Sequence, residues 1–319
     1  MNAPASPRRI GLGLAAVGRP GYLNLGRERD LPRDRGVDAM RRRVHDLLDA
    51  AWAAGVRHID TARSYGRAEE FLAQWLRDRG DLPGLIVSSK WGYTYTADWR
   101  TDAATHEVKE HSLAAYRRQL AETRRLLGDR LTVYQVHSVT PDSPVLTDRT
   151  LQRALAALAA EGVTVGLSAS GPAQGDAIRA ALALTVDGEP LFRSVQATWN
   201  LLEPSAGPAL AEAHDAGRAV IVKEAMANGR LAAPDPRAAR VLDPVAGATG
   251  AGYDALALAA ALHRPWADVV LSGAATTAQL ASNLTAADLT LTDEQAAALD
   301  ALAEQPEAYW AHRAALPWT

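Results

Sequence analysis

A chain of 319 residues, 48% of them hydrophobic, is long enough for one large domain or two ordinary ones and can bury a sizeable core. Its 34 basic and 37 acidic residues nearly cancel, so no strong field draws nucleic acid or an anionic membrane, and a small molecule is the expected partner. The absence of cysteine excludes disulfides and thiolate chemistry, and the eight scattered histidines lack zinc-site spacing, so no metal is expected. The first residues carry no apolar signal core and no run of 18 apolar residues occurs, which leads us to expect a soluble cytoplasmic protein.

In chain order, Ile10–Val17 reads as a buried strand leading into a loop rich in Gly, Arg and Pro. Asp38 to Ala54 repeats apolar residues at helical spacing, with Gly55 where a helix C′ residue belongs. Arg41, Arg42 and Arg43 are adjacent at the start of this helix, point different ways and read as solvated surface. Val56 to Asp60 is the next strand. It is followed by a helix from Ala68 to Arg79 and a strand Leu85–Lys90. The alternation continues with a helix from Val108 to Leu127, a strand Leu131–His137, a helix from Asp148 to Ala160 and a strand Val163–Ser168. Helices at 174–184, 207–216, 253–263 and 277–287 separate and follow strands at 194–198, 219–223 and 268–272.

Strict alternation implies a parallel sheet covered by helices, because each parallel return needs a crossover. Eight such units predict an α/β fold, a closed (β/α)8 barrel of TIM type formed by residues 1–319 as a single domain. Gly11, Gly13 and Gly18 do not follow the GxGxxG spacing of a doubly wound dinucleotide fold.

Catalytic groups in such barrels come from the C-terminal ends of several strands. Asp60 ends the second strand, Lys90 the third and His137 the fourth, and Tyr65 stands in the loop beyond Asp60. Singly, each has an ordinary structural role; together on one face they suggest a proton-transfer site. Tyrosine, with an ordinary pKa of about 10, exchanges protons slowly near neutrality. A nearby Lys90 ammonium is expected to lower that pKa, with Asp60 keeping the lysine charged and oriented. His137 is expected to hydrogen-bond the substrate oxygen, and Tyr65 to exchange its proton.

The segments IDTARSYGRAE, SSKWGY and VYQVHS resemble the aldo-keto reductase family, whose Asp-Tyr-Lys-His tetrad they match in order, spacing and strand position through Asp60, Tyr65, Lys90 and His137. The resemblance spans the chain from Ile10 to the helix after the eighth strand. It implies a nicotinamide cofactor, NADP with NAD as the alternative, lying extended across the barrel mouth, and an aldehyde, ketone, sugar-like carbonyl or alcohol as substrate. It further implies that Ser168 and Gln196 hold the carboxamide, although Ala169 stands where an asparagine is common. Lys223 stands where an aromatic ring is usual; it either contacts the cofactor, serves the substrate or pairs with Glu224 or a neighbour. The segment Leu271–Asn283 resembles the phosphate-binding turn and helix, which brings in Gly273, Ala274, Gln279 and Asn283, with Thr276 to Gln279 also fitting a capping box. Gly273 and Gln279 stand where many relatives carry Lys and Arg.

Trp91 and Trp199 are expected as pocket walls, and the Ala-, Pro- and Gly-rich segment 227–252 as a lid. Two other readings are a non-catalytic cofactor-binding redox sensor or partner-binding subunit on the same barrel, and an NAD-linked sugar dehydrogenase. Oligomeric state is not legible in the sequence.

Overall fold

A computed structural model describes residues 9–31 and 34–319. Eight parallel strands, β1 (Ile10–Gly13), β2 (His58–Asp60), β3 (Ile86–Trp91), β4 (Val133–Val139), β5 (Thr164–Ala169), β6 (Ser194–Thr198), β7 (Ala219–Lys223) and β8 (Val269–Ser272), form the wall. Each pairs with its neighbours in sequence, and β1 pairs with β8, so the sheet closes into a barrel with no free edge. The crossovers are α1 (Val37–Ala53), α2 (Ala68–Arg79), α3 (Leu113–Leu127), α4 (Arg149–Ala160), α5 (Gln174–Leu182), α6 (Gly207–Asp215) and α7 (Tyr253–Leu262), and α8 (Thr277–Leu284) follows the last strand. The architecture expected from the alternation is therefore the one observed.

Period-two alternation divides each strand between two environments. Val87, Val136, Leu167, Val195, Val220 and Val222 join the apolar layer beneath the helices. Alternate positions turn polar groups into the barrel, where Gln135 bonds Ser194 (3.4 Å) and His58 bonds Ser88 (3.0 Å) across strands. The helices supply the matching stripe; α1 buries Met40, Val44, Leu47, Leu48 and Ala51. Burying each of its larger side chains is worth about 1.5–3 kcal/mol. α7 is apolar all round, with Ala255 to Ala261 all buried, because it lies between α8 and the helix Pro236–Thr249.

Two local expectations are corrected. The helix expected from Val108 begins at Leu113, where the Ser112 hydroxyl accepts from Ala115 N (3.0 Å). Residues 107–109 instead pair antiparallel with Tyr93–Tyr95, a ribbon inside the aromatic stretch after β3. Most of the expected lid is the helix Pro236–Thr249, started by an Asp235 cap with Pro at the first position and ended by Gly250 in the left-handed region. Only its beginning reaches the barrel mouth, where Asn228 O accepts from Leu25 N (3.0 Å). Two further helices, Asp293–Leu299 and Pro306–Ala314, follow α8. Among the described residues no single helix is long and apolar enough to cross a membrane.

Two glycines seat the loop that carries Tyr65. Gly18 lies against it so closely that a Cβ there would stand 2.3 Å from Tyr65 O and 2.5 Å from Ala68 Cβ. Gly66, at φ +60°, would place a Cβ 2.6 Å from Gly18 O, and Arg67 N donates to that same oxygen at 2.8 Å. Gly18→Ala is expected to cost about 1–3 kcal/mol or more by overpacking. Gly247→Ala, in a helix with nothing within 4 Å, is expected to be neutral or stabilising by up to about 1 kcal/mol. Urea denaturation of the two variants checks the contrast.

Candidate active site

The deepest feature of the site is an ion pair inside the barrel. Lys90 is fully buried and donates to Asp60 Oδ2 and to Thr61 O (3.1 Å). The other carboxylate oxygen accepts from Ser88 Oγ (2.7 Å) and Gln196 Nε2 (3.1 Å). Register sets this up: Asp60 lies opposite Ser88, so Lys90 projects from β3 two residues further on, on the same inner face. Burial pulls the Lys90 ammonium below its ordinary pKa, while Asp60 opposes the shift. Burial likewise holds His58 down at about 4, so the group behind Ser88 is a neutral imidazole at neutral pH.

Tyr65 and His137 face each other above this pair. Their rings are 5.6 Å apart, edge to face, and Lys90 Nζ stands 5.1 Å from the Tyr65 ring centroid. The expected lowering of the tyrosine pKa is not what this environment produces. Burial raises it well above 10 and the Asp60 charge pushes the same way, because the carboxylate that orients Lys90 also repels a tyrosinate. Tyr65 is a neutral phenol with a proton to give. His137 is held well below its ordinary value by burial and then by Lys90, Lys223 and Arg19, so its imidazole is neutral as well. His111 Nε2 fixes its backbone through His137 O (2.7 Å), and the next residue, Ser138, sits at φ +55°.

These groups close one end of a cleft of about 200 Å³. Asp60, Tyr65, His137 and Gln196 line it, and Lys90 lies behind them. Trp91 and Trp199 do not line it, contrary to expectation. Trp91 is buried against Tyr116 (5.1 Å) and His111, and Trp199 against Trp266 (5.8 Å), because both rings turn outward to the helix layer. The aromatic rim comes from residues the sequence did not single out as a site: Tyr22, Tyr93 and Trp318. The last residue pairs with the loop after β1, Thr319 O accepting from Tyr22 N (3.1 Å) and Thr319 N donating to Tyr22 O (3.2 Å). Trp318 stacks on His106 at 4.2 Å. Beneath it the buried Arg19 guanidinium donates to Ser64 O (2.7 Å) and Glu107 Oε2 (2.8 Å), with the Trp318 ring 4.7 Å and the Tyr65 ring 5.5 Å away. An arginine in a Gly-Arg-Pro loop gave no local signal of this role.

The positions matched to cofactor binding fall into two groups. Gln196, Lys223 and Gly273 line the cleft. Ser168 is buried and its hydroxyl accepts from Ser138 N (2.8 Å). Ala274 is buried, and its N–H donates to Ser272 Oγ (3.3 Å). Thr276 caps α8 by accepting from Gln279 N (3.1 Å), but the Gln279 side chain reaches past the cap to Ala275 N (2.9 Å), so the expected capping box is only half formed. With its amide oxygen toward Ser272 Oγ, Asn283 donates to Gln279 O (3.2 Å) and Asp254 Oδ2 (3.0 Å), tying α8 to β8 and α7.

A nicotinamide dinucleotide fits what is there. The cleft runs from Tyr65 and His137 to Ser272 and Gly273, and a Cβ on Gly273 would meet nothing within 4 Å, leaving room for a ligand against the backbone. Beyond it a second cleft, lined by Asp34, Arg42, Arg43, Asp46, Thr276 and Thr277, adjoins the α8 N-terminus. This corrects the reading of Arg43 as plain surface, while Arg42 is exposed as expected. Arg41 pairs with Asp38, whereas Arg43 donates to Ala275 O (3.1 Å) just before α8.

Comparison with known proteins agrees with the geometry. The profile of the aldo/keto reductase family matches residues 10–304. Aldo-keto reductase str7 of Strobilurus tenacellus is 26% identical over 293 residues, covering 82% of this chain and 81% of its own. Among solved structures, PA4992 of Pseudomonas aeruginosa, described as an aldo-keto reductase, is 25% identical with a TM-score of 0.63, covering 88% of this chain and 89% of its own. The holo form of aldo-keto reductase AKR11C1 from Bacillus halodurans, 22% identical, shares the fold at a TM-score of 0.70, with 93% and 92% covered.

Removing one member of a buried ion pair strands the other charge. Lys90→Met is therefore expected to cost about 3–5 kcal/mol of stability, part of which the double variant Lys90→Met/Asp60→Asn should restore. Urea denaturation of the two proteins at neutral pH measures both numbers.

Proposed function

Because the chain belongs to the aldo/keto reductase family, and is thereby an NAD(P)-dependent oxidoreductase, we propose that it reduces an aldehyde or ketone with NADPH, or oxidises the corresponding alcohol, using Tyr65 as general acid and base. The observation that carries this reading is the buried Lys90–Asp60 pair set beneath a neutral Tyr65 and a neutral His137 at the closed end of the cleft.

In the reductive direction the substrate carbonyl oxygen lies between the Tyr65 hydroxyl and the His137 imidazole, each donating a hydrogen bond. The nicotinamide, when bound, supplies the hydride that reaches the carbonyl carbon. Charge then develops on the oxygen, where preorganised donors in a water-poor site stabilise it best. Tyr65 passes its proton to that oxygen, yielding the alcohol. The Lys90 ammonium, 5.1 Å from the phenol ring, counters the tyrosinate left behind, and Asp60 holds the ammonium in place. The high pKa of Tyr65 favours this direction: reduction uses the neutral phenol, whereas oxidation needs the anion that burial opposes. In the oxidative direction the same atoms run in reverse.

The preference for NADP over NAD rests on Arg42 and Arg43. The turn after β8 lacks basic side chains, and these two guanidinium groups bring positive charge to the same helix end from α1. A 2′-phosphate there meets charge-assisted donors and the positive end of the α8 dipole.

Tyr65→Phe is expected to lower reduction of an aromatic aldehyde by about 10²–10⁴-fold, with the NADPH dissociation constant from fluorescence quenching unchanged. Equal turnover by the two proteins would remove Tyr65 from the chemistry. The double variant Arg42→Ala/Arg43→Ala is expected to weaken NADPH by about tenfold, roughly 1.4 kcal/mol, and leave NADH unaltered. An equal loss for both nucleotides would end the case for a phosphate site at these arginines.

A further inference from the structure

We infer that Lys223 is a specificity residue that binds a carboxylate carried by the carbonyl substrate. The inference deepens the reductase reading and rests on it.

The argument begins with how the charges around the cleft are shared out. Arg19 is paired with Glu107, Lys90 with Asp60 and Arg313 with Glu224, all by direct contacts. Lys223 also lines the cleft, yet among the described residues it forms no ion pair; its hydrogen bond goes to a neutral group, Thr198 Oγ1 at 2.7 Å, and the Trp310 ring centroid lies 6.0 Å from its Nζ. An ammonium has three donors, so two remain for a ligand.

The adjacent carboxylate makes no direct pair with it, for a reason of backbone geometry, although its charge still favours the ammonium. Glu224 adopts φ +56° and turns to Arg313, accepting from its Nε at 2.9 Å, and to Thr198 Oγ1 at 3.3 Å. Lys223 is thus held on the inner side of β7, and Glu224, which also lines the cleft, directs its carboxylate to Arg313. The alternative of a Lys223–Glu224 pair is not formed. A half-buried ammonium in this position is costly: desolvation, with Arg313 and Lys90 adding like charge, lowers its pKa to about 8. An anionic ligand oxygen repays that cost.

Two sources could supply such an oxygen, the substrate or a phosphate of the cofactor. Position favours the substrate. Lys223 lines the same cleft as Asp60, Tyr65 and His137, and its charge helps keep His137 neutral, so it belongs to the wall around the reacting carbonyl. The basic groups beside the α8 N-terminus, Arg42 and Arg43, line a separate cleft that Lys223 does not share.

The test compares 4-carboxybenzaldehyde with its methyl ester, methyl 4-formylbenzoate, in the wild type, Lys223→Met and Lys223→Arg. The wild type should prefer the acid by at least tenfold in kcat/KM, expressed through KM. Lys223→Met should bring the ratio to about one, and Lys223→Arg should keep it. As pH rises through about 8 the preference should fade with lysine and persist with arginine. Thr198, Glu224, Arg313, Trp310, Asp60, Lys90 and His137 surround the position in both of those proteins and so cancel in the comparison. The same acid-to-ester ratio in the wild type and Lys223→Met would overturn the inference, as would a tenfold loss of NADPH affinity in Lys223→Met with the ratio preserved, which assigns the lysine to a cofactor phosphate. Calorimetry with 4-(hydroxymethyl)benzoate reads the carboxylate site without turnover. Binding tenfold weaker to Lys223→Met supports the assignment and equal binding overturns it, even where neither aldehyde is reduced and it is the reductase reading that fails.

Discussion

The structure depends first on one buried ion pair, Lys90 with Asp60. Two charges inside a barrel are tolerable only if they are paired and hydrogen-bonded, and here Ser88, Gln196 and the Thr61 carbonyl add to the pair's own contact. Those partners come from β3, β6 and the residue after β2, so the pair exists only when the barrel has closed in register. A slip of one residue in β2 or β3 would turn a charged side chain outward into the apolar layer beneath the helices. Stability and site geometry are consequently set by the same constraint.

The pair also fixes the character of everything above it. A lysine alone would favour a tyrosinate, but its carboxylate partner nearly cancels the charge, and burial then decides that Tyr65 stays protonated. The same burial keeps His137 neutral, so two uncharged rings, the Tyr65 phenol and the His137 imidazole, face each other above the ion pair. Further out, Arg19 and Arg313 are each neutralised by a glutamate and hold the rim together. Strained backbone lies at this rim: Ser138 and Glu224, immediately after His137 and Lys223, both have positive φ, the first at an irregularity in β4 between Val136 and Val139 and the second just past the end of β7.

The aromatic content of the chain had a different fate from the one its sequence position suggested. Trp91 directly follows Lys90, yet alternation along β3 turns it to the opposite face, into the helix layer. Trp318, far away in sequence, reaches the mouth because the terminal residues pair with the loop after β1. Proximity in sequence to a catalytic residue is a poor guide to the pocket when successive side chains point to opposite faces.

By itself the sequence determined the alternation of strands and helices, the closed barrel, and the candidate tetrad of Asp60, Tyr65, Lys90 and His137, because periodicity and the residue at a strand end are local properties. It also offered cues that passed unread, such as Ser112 before an apolar run and Asp187-Gly188 in a two-residue hairpin turn. Tertiary structure alone decided how the charges were shared. Glu224 chose Arg313, 89 residues away, over the adjacent Lys223, and Arg43 reached the carbonyl of Ala275 across 232 residues. It decided as well that Tyr65 is held protonated. Such outcomes depend on burial and on contacts between distant segments, and no window of sequence contains either.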